Sequence, residues 1–428
     1  MVFEGILLTA SAHIITAVIG SGVLSLAWAL AQLGWIVGPL ALTTFSAITW
    51  YTSTLLADSY RSPFNGTRNY RYIDAVKNNL GGMKYKFCGF AQEGNLLGST
   101  IGYTITASIS MAAIKRSNCF HKNGHEAGCH TTNNMFMIIF GVTEIILSQI
   151  PNFHELSGLS IIAAIMSFAY SLIGLGLSIA KIAGGDTGKT SIEGAIIGVD
   201  VTMAKRLWNS LQAIGNIAFA YGYSSVLMEI QACATQFNIR ISDTLRSSPP
   251  EKQEMKKANL IGVSVTTIFY LLCGTFGYTA FGNSTAGNFL TGFGFYEPFW
   301  LVDIANLCIV IHLVGAYQVF CQPTFRSVEN WLTWRTIYIT VTTVIAMLFP
   351  FFNSVLGLLG AASFWPLAVY FPIEMYVSRV KIKSFSMVWI WLKVLVGVCF
   401  LVSLLAAVGS IEGIVMDLRA YKPFHSVS

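Results

Sequence analysis

Eleven apolar stretches of 18 to 29 residues, joined by polar links, make up most of this chain. An α-helix needs about 20 apolar residues to cross the hydrocarbon of a bilayer, and in lipid only helices or closed barrels satisfy their own backbone groups. The stretches are residues 6–31, 34–57, 90–114, 133–150, 154–182, 206–233, 257–281, 299–322, 331–350, 354–377 and 388–415. Two links, Gln32-Leu33 and Pro151-Asn152-Phe153, are so short that the helices they join must run antiparallel. Charged residues are 11% of the chain, where a soluble domain carries roughly 25%. The reading is an all-α polytopic membrane protein of about 11 transmembrane helices.

Charge sets the expected orientation. Of the 26 Lys and Arg, 16 fall in links or adjoining span ends on the N-terminal side, nine on the other side, including the tail, and Lys393 lies within the last span. Basic residues concentrate on the cytoplasmic side, so the N-terminus is expected inside and the C-terminal tail, residues 417–428, outside. The net charge of +6 then reports cytoplasmic loops rather than affinity for nucleic acid. Met1 leads directly into the first span without a basic n-region or a small-residue cleavage site, so no cleavable signal peptide is expected. Partners are expected to be the lipid bilayer and a small molecule, with no nucleic acid and no obligate protein partner.

Six of the eight cysteines lie in or beside apolar spans and read as small buried hydrophobes. Cys119 and Cys129 share one polar loop with His121, His125 and His130, which leaves a metal site as the competing reading. The expected topology places that loop outside, where disulfides persist, and favours a Cys119–Cys129 bond. The sequon at Asn65 falls in a cytoplasmic loop and should be unused; that at Asn283 is outside, close to the membrane, and is the glycosylation candidate.

Inside the first span, Gly20-Ser21-Gly22 interrupts an apolar run. Each Gly costs about 1 kcal/mol against Ala in a helix interior. Alone, the stretch reads equally well as a close-packing notch or as an unwound segment that binds something. The sixth span carries a counterpart, Ile217-Ala218-Phe219-Ala220-Tyr221-Gly222-Tyr223-Ser224-Ser225. Five spans precede it, so it starts from the opposite side of the membrane. Interrupted helices at corresponding positions of two oppositely oriented halves mark an inverted-repeat secondary transporter. The expected architecture is a 5+5 inverted repeat with helices 1 and 6 broken. Residues 1–416 form one transporter domain: repeat one at about 6–182, repeat two at about 206–377, and an extra helix at about 388–415.

The run from Ala12 through His13, Gly20, Ser21 and Gly22 to Trp28, followed by Ala31-Gln32-Leu33-Gly34-Trp35, resembles the plant amino acid permeases of the amino acid/auxin permease family, within the amino acid-polyamine-organocation superfamily. The resemblance continues through Gly102-Tyr103-Thr104-Ile105, the loop cysteines, Ile150-Pro151-Asn152-Phe153, Ala218-Phe219-Ala220-Tyr221, Gln322-Pro323 and Phe364-Trp365-Pro366-Leu367. It implies a fold like that of the bacterial leucine transporter and proton-coupled uptake of amino acids across the plasma membrane. It also implies a cytoplasmic tail of some tens of residues before the first span. Here Met1-Val2-Phe3-Glu4-Gly5 stands almost at the membrane, a departure that bears on trafficking and regulation while the first span still contains its break.

A zwitterionic amino acid brings a carboxylate and an ammonium into a low dielectric, where an unpaired charge costs several kcal/mol. The half-helix that starts after Gly20-Ser21-Gly22 offers free amides and the positive end of its dipole to the carboxylate. Carbonyls before the breaks, at Ala17, Val18 and Ile19 and at Phe219 and Ala220, are the candidate acceptors for the ammonium. Tyr221, Tyr223 and Ser224 would shape the side-chain pocket, and Asn95 and Tyr103 on the third span are candidates to line it. Proton coupling needs a titratable group near this place, and His titrates nearest physiological pH. His312 in the eighth span and His13, about two turns before Gly20, are the candidates. The related sodium-coupled transporters hold a cation between helices 1 and 8, as the resemblance implies. Glu93 and Asp303 are the rival carboxylates.

The function expected from these residues is a proton-coupled amino acid symporter of the plasma membrane that works by alternating access, with protons as the co-transported ion and no other cofactor. An amino acid-binding receptor with little flux is the alternative, and the absence of a long soluble signalling segment weighs against it. No HExxH, nucleophile elbow, clustered His/Asp box or phosphate-cradling glycine loop in strand-to-helix context is present, so an enzyme is not expected.

Overall fold

The computed structural model describes residues 7, 10–15, 18–62, 68–124, 128–150, 157–228, 251–294, 298–327 and 332–420. Ala17, Asn65, His125, the Pro151-Asn152-Phe153 link, most of the 234–256 connector and residues 421–428 lie outside them. Among the described residues there is no strand, only two isolated bridges, Arg61 with Arg68 and Ile197 with Val201.

Helical residues 10–15 and 18 precede a non-helical turn at Ile19 to Gly22, and α1, Val23–Asp58, follows. The second reversal of the chain lies inside α1 at Gly34, whose φ of 77° falls in the left-handed region that favours glycine. A β-carbon on Gly34 would stand 2.2 Å from the Ile192 carbonyl oxygen and 2.4 Å from the Gly194 nitrogen, so the connector before α6 lies directly across the turn. Helical bonding runs through Gln32 and Leu33, which moves the turn expected there to the first residue free to take a positive φ. The two legs then fold back on each other: a β-carbon on Gly38 would be 2.9 Å from Leu30 Cγ.

The chain continues through α2 (Tyr72–Asn79), α3 (Gly82–Asn123), α4 (Asn133–Ser148), α5 (Ser157–Ala183) and α6 (Met203–Ala220). A 3-10 turn, Gly222–Val226, interrupts the sixth crossing. Then come α7 (Glu251–Phe281), α8 (Phe299–Ser327), α9 (Leu332–Leu348) and α10 (Phe352–Ser363). A π-helical turn at Phe364–Tyr370 joins α10 to α11 (Phe371–Val380). Pro366 inside that turn has no amide to donate, which removes one rung of the helical ladder. The last helix, α12 (Met387–Ala420), runs past residue 415 and absorbs residues 417–420, which the sequence reading placed in the tail. Seven of the described helices are long and apolar enough to cross a membrane. Counting the two legs of α1 separately and adding the two shorter apolar helices, α4 and α9, gives ten crossings; the eleventh expected is the interrupted one that begins with α6.

α1 packs along α7 and crosses α6; α8 is held between α5 and α3; α10 and α12 flank α6. The two broken segments therefore sit at the centre. Exposed apolar side chains such as Ile165 on α5 and Trp391 and Leu401 on α12 point outward, where lipid is the solvent. Lys393, inside the last span, pairs with Glu374 of α11, whose other carboxylate oxygen accepts from Lys84 Nζ at 2.6 Å. An intramembrane charge is thus answered by an opposite one from a neighbouring helix.

Candidate functional site

The first break forms because the ladder loses its register over three residues. Ile19 N–H still donates to the Ile15 carbonyl at 2.8 Å. The next helix starts with tighter bonds, Val23 N–H to Gly20, Leu24 to Ser21 and Ser25 to Gly22, each 3.2 Å. The Ser25 hydroxyl adds a second bond to the Gly22 carbonyl at 2.9 Å. Among the described residues the Gly22 amide has no hydrogen-bond acceptor. An open amide at a helix N-terminus is what an anion needs.

In a continuous helix the Val18 carbonyl would accept from Gly22. Here it accepts from the Tyr270 hydroxyl of α7. The same hydroxyl lies 3.3 Å from the carbonyl of Ala220, the last residue of α6. One phenol therefore spans the carbonyl ends of both broken helices. The breaks also touch directly: a β-carbon on Gly22 would come within 2.9 Å of Ala220 Cα. Glycine at 22 is a condition of that backbone contact.

His312 completes the site from α8. It is buried, and its Nδ1 lies 2.8 Å from the carbonyl of Ala163 on α5. A carbonyl only accepts, so Nδ1 carries the hydrogen and Nε2 is left with the lone pair. Nε2 faces the first break, 3.8 Å from where a β-carbon on Gly20 would stand. The Tyr170 ring packs edge-on against the imidazole with centroids 5.8 Å apart. Protonation of His312 would turn an acceptor into a donor and add a positive charge beside the break.

The other expected residues take several places. Val18, Ile19, Ser21 and Gly22 are buried at the first break, and Gly20 is partly accessible. At the second break Ala220 is buried and Phe219 is pressed by α10, where a β-carbon on Gly360 would meet its backbone nitrogen at 2.5 Å. Tyr221 and Tyr223 point into the scaffold. Tyr221 donates to Thr267 at 3.2 Å, which in turn bonds Ser46 at 2.6 Å. Tyr223 reaches Ser53 at 3.2 Å and Asn259, whose amide holds Ser53 at 2.6 Å. These two tyrosines fasten the segment after the second break to α1 and α7. Ser224 is fully buried, and among the described residues its hydroxyl has no hydrogen-bond partner.

Tyr103 is buried on α3 with its ring against Phe320 of α8, and Asn95 is buried two turns earlier. His13 and Glu93 are exposed. Asp303 accepts from Asn118 at 3.1 Å, beside the bonded pair Cys119–Cys129. Of the four proton-coupling candidates, His312 alone is brought against a break. Among the described residues no three metal-ligating side chains gather, and His121 of the cysteine loop stacks on Phe299 instead. The amide of Asn283 donates to Asp200 at 2.9 Å, and its oxygen accepts from Tyr278 at 2.9 Å.

Tyr270 is the residue that sequence reasoning missed. Its signal was a phenol, one of two with Tyr278, inside the apolar run of the seventh span, because a buried hydroxyl must find a partner.

The model of a family described as transmembrane amino acid transporter protein matches residues 5–416. The chain belongs to that family. Within this transporter family it is 58% identical to amino acid permease 6 of Arabidopsis thaliana, over 99% of this chain and 93% of the relative. It is 57% identical to amino acid permease 1 of the same plant, over 99% and 92%. Among solved structures it matches MhsT in complex with L-phenylalanine, with a TM-score of 0.58 at 13% identity, over 94% of this chain and 98% of that one. It also matches Mhp1, a nucleobase-cation-symport-1 family transporter in a closed conformation with bromovinylhydantoin bound, at a TM-score of 0.51 and 12% identity, over 97% and 93%. At such identities the likeness is one of fold, and the transporter family here has the leucine-transporter-like architecture.

Proposed function

We propose that this transporter imports amino acids across the plasma membrane together with protons, by alternating access, with the two helix breaks as the substrate site and His312 as the proton-sensing group. The family and its permease relatives support amino acid transport across a membrane. The observation that carries the finer reading is the placement of His312 Nε2 against Gly20, with Nδ1 committed to Ala163.

The substrate carboxylate would take the open Gly22 amide at the N-terminal end of α1, where the helix dipole favours an anion. The ammonium would compete for the Val18 and Ala220 carbonyls that the Tyr270 hydroxyl now spans. A hydroxyl has one hydrogen for two carbonyls, whereas an ammonium has three, so the exchange favours the ligand. A proton on His312 would place a positive charge next to the carboxylate and raise affinity for it. Loss of that proton on the far side would release both, which is the thermodynamic requirement for coupling. On the proposed orientation the outward-open protein loads proton and amino acid, closes over them and opens inward.

The test is uptake of a panel of labelled amino acids in transport-deficient yeast at two external pH values. The reading expects accumulation that rises as the medium is acidified. A protein present at the surface that accumulates no amino acid would overturn it.

A further inference from the structure

A second titratable group lies buried between α4 and α8, outside the site just described. Glu144 of α4 and Gln318 of α8 are both fully buried. Gln318 Nε2 donates to Glu144 Oε2 at 2.6 Å and lies 3.2 Å from the Glu144 carbonyl. Among the described residues, neither the remaining carboxyl oxygen, Glu144 Oε1, nor the amide oxygen, Gln318 Oε1, has a hydrogen-bond partner. The two side chains thus share one hydrogen bond, the amide nitrogen makes a second to the backbone carbonyl, and two side-chain acceptors are left with no donor among the described residues. One proton on Glu144 supplies the missing donor. A carboxylic acid and a primary amide then form a two-bond ring, acid carbonyl to N–H and acid O–H to amide oxygen, and every buried polar atom of the pair is satisfied.

The surroundings do not compensate a carboxylate. Within electrostatic reach from α8 are Tyr317, which bonds Thr342 at 2.8 Å, and Cys321. From α9 the facing groups are Tyr338, whose hydroxyl is 3.1 Å from Thr100, and Arg335, which donates to the Ser148 carbonyl at the end of α4 and lies over the Phe325 ring. From α3, Lys115 lies over the ring of Phe136 and Arg116 donates to the Thr131 carbonyl, both at the far end of α4, while Tyr103 packs on Phe320. Among the described residues no cation reaches the Glu144 carboxyl. A fully buried ion without a counter-charge is far costlier than a neutral acid.

Gln318 is six residues beyond His312 on α8, about 9 Å along the helix axis. The helix that carries the proton-sensing histidine is therefore the one clasped to α4 by this pair. We propose that Glu144 is a second proton-carrying site of the transport cycle, neutral and bonded to Gln318 in this conformation and deprotonated when α8 moves against α4 and water reaches the carboxyl. The proposal rests on the proton-coupled reading. The step makes and breaks a single O–H bond, with the proton taken from water on one side of the membrane and returned to water on the other.

Glu144→Gln tests it, since two amides make the same two-bond ring without a titratable proton. The variant is expected to reach the cell surface and to retain exchange of labelled for unlabelled amino acid, while losing most of the rise in uptake on external acidification. Infrared spectra of purified parent protein at neutral pH should contain a protonated-carboxyl C=O band that the variant lacks. A variant with the parent's pH response and the same band would overturn the proposal. So would a variant that fails to fold, because the neutral pair would then not be the stable one. A parent protein whose uptake ignores pH would defeat the symport reading instead, and the infrared band would still decide whether Glu144 is protonated.

Discussion

His312 Nε2 lies 3.8 Å from the place a β-carbon on Gly20 would occupy. That spacing is ordinary van der Waals contact, whereas the same construction at Gly22 meets Ala220 Cα at 2.9 Å. Two glycines two positions apart therefore do different work. Gly20→Ala should reach the surface and weaken apparent substrate affinity, because a methyl group now separates the imidazole from the break. Gly22→Ala should abolish transport and destabilise the protein by about 1 to 3 kcal/mol, the usual range for overpacking. Surface labelling and concentration-dependent uptake of both variants check this; equal behaviour of the two would contradict it.

Tyr270→Phe removes the one hydroxyl that spans the Val18 and Ala220 carbonyls. A buried acceptor left unsatisfied costs about 1 to 3 kcal/mol. The expected result is a lower melting temperature in detergent without substrate and a larger upward shift on adding amino acid, since the ammonium would then satisfy carbonyls that nothing else does. A variant as stable as the parent, with the same ligand-induced shift, would remove Tyr270 from the account.

Tyr223, Asn259 and Ser53 form one buried polar group. Asn259→Leu leaves the Tyr223 hydroxyl and Ser53 short of a shared partner and frees the segment after the second break. Transport should fall more than surface abundance does, and Tyr223→Phe in the same background should add little, because the two residues act together. Additive losses in uptake would contradict the coupling.

The Cys119–Cys129 bond ties the end of α3 to the link before α4. Cys119→Ser is expected to cost about 2 to 4 kcal/mol of stability. On the proposed orientation, Cys129 in that variant should be labelled by an impermeant maleimide added to intact cells. Labelling only after permeabilisation would invert the topology.

The breaks were legible because Gly20-Ser21-Gly22 and Tyr221-Gly222 stand out in apolar spans, and their pairing across two halves gave them meaning. The turn at Gly34 falls one residue past the expected Gln32-Leu33 link, since helical bonding passes through Gln32 and Leu33 and a sequence does not display which glycine adopts a positive φ. His312 was legible as a buried titratable group, but its direction was not. A helix surrounded by apolar neighbours has no polar face from which to read rotation, so His13 and, as a rival carboxylate, Glu93 stand beside His312 as candidates until burial separates them. The phenol of Tyr270 stood out in its apolar span, but its role did not, because its partners are backbone carbonyls, which no side-chain pattern marks.

Voltage-clamp recording of amino acid-evoked current, at acidic and neutral external pH, tests the central claim most directly. His312→Asn keeps an amide hydrogen for the Ala163 carbonyl but cannot titrate. The account predicts an inward current in the parent that grows as the outside is acidified, and its loss in His312→Asn at matched surface abundance. Amino acid uptake without current in the parent, or an undiminished pH-dependent current in His312→Asn, would contradict it.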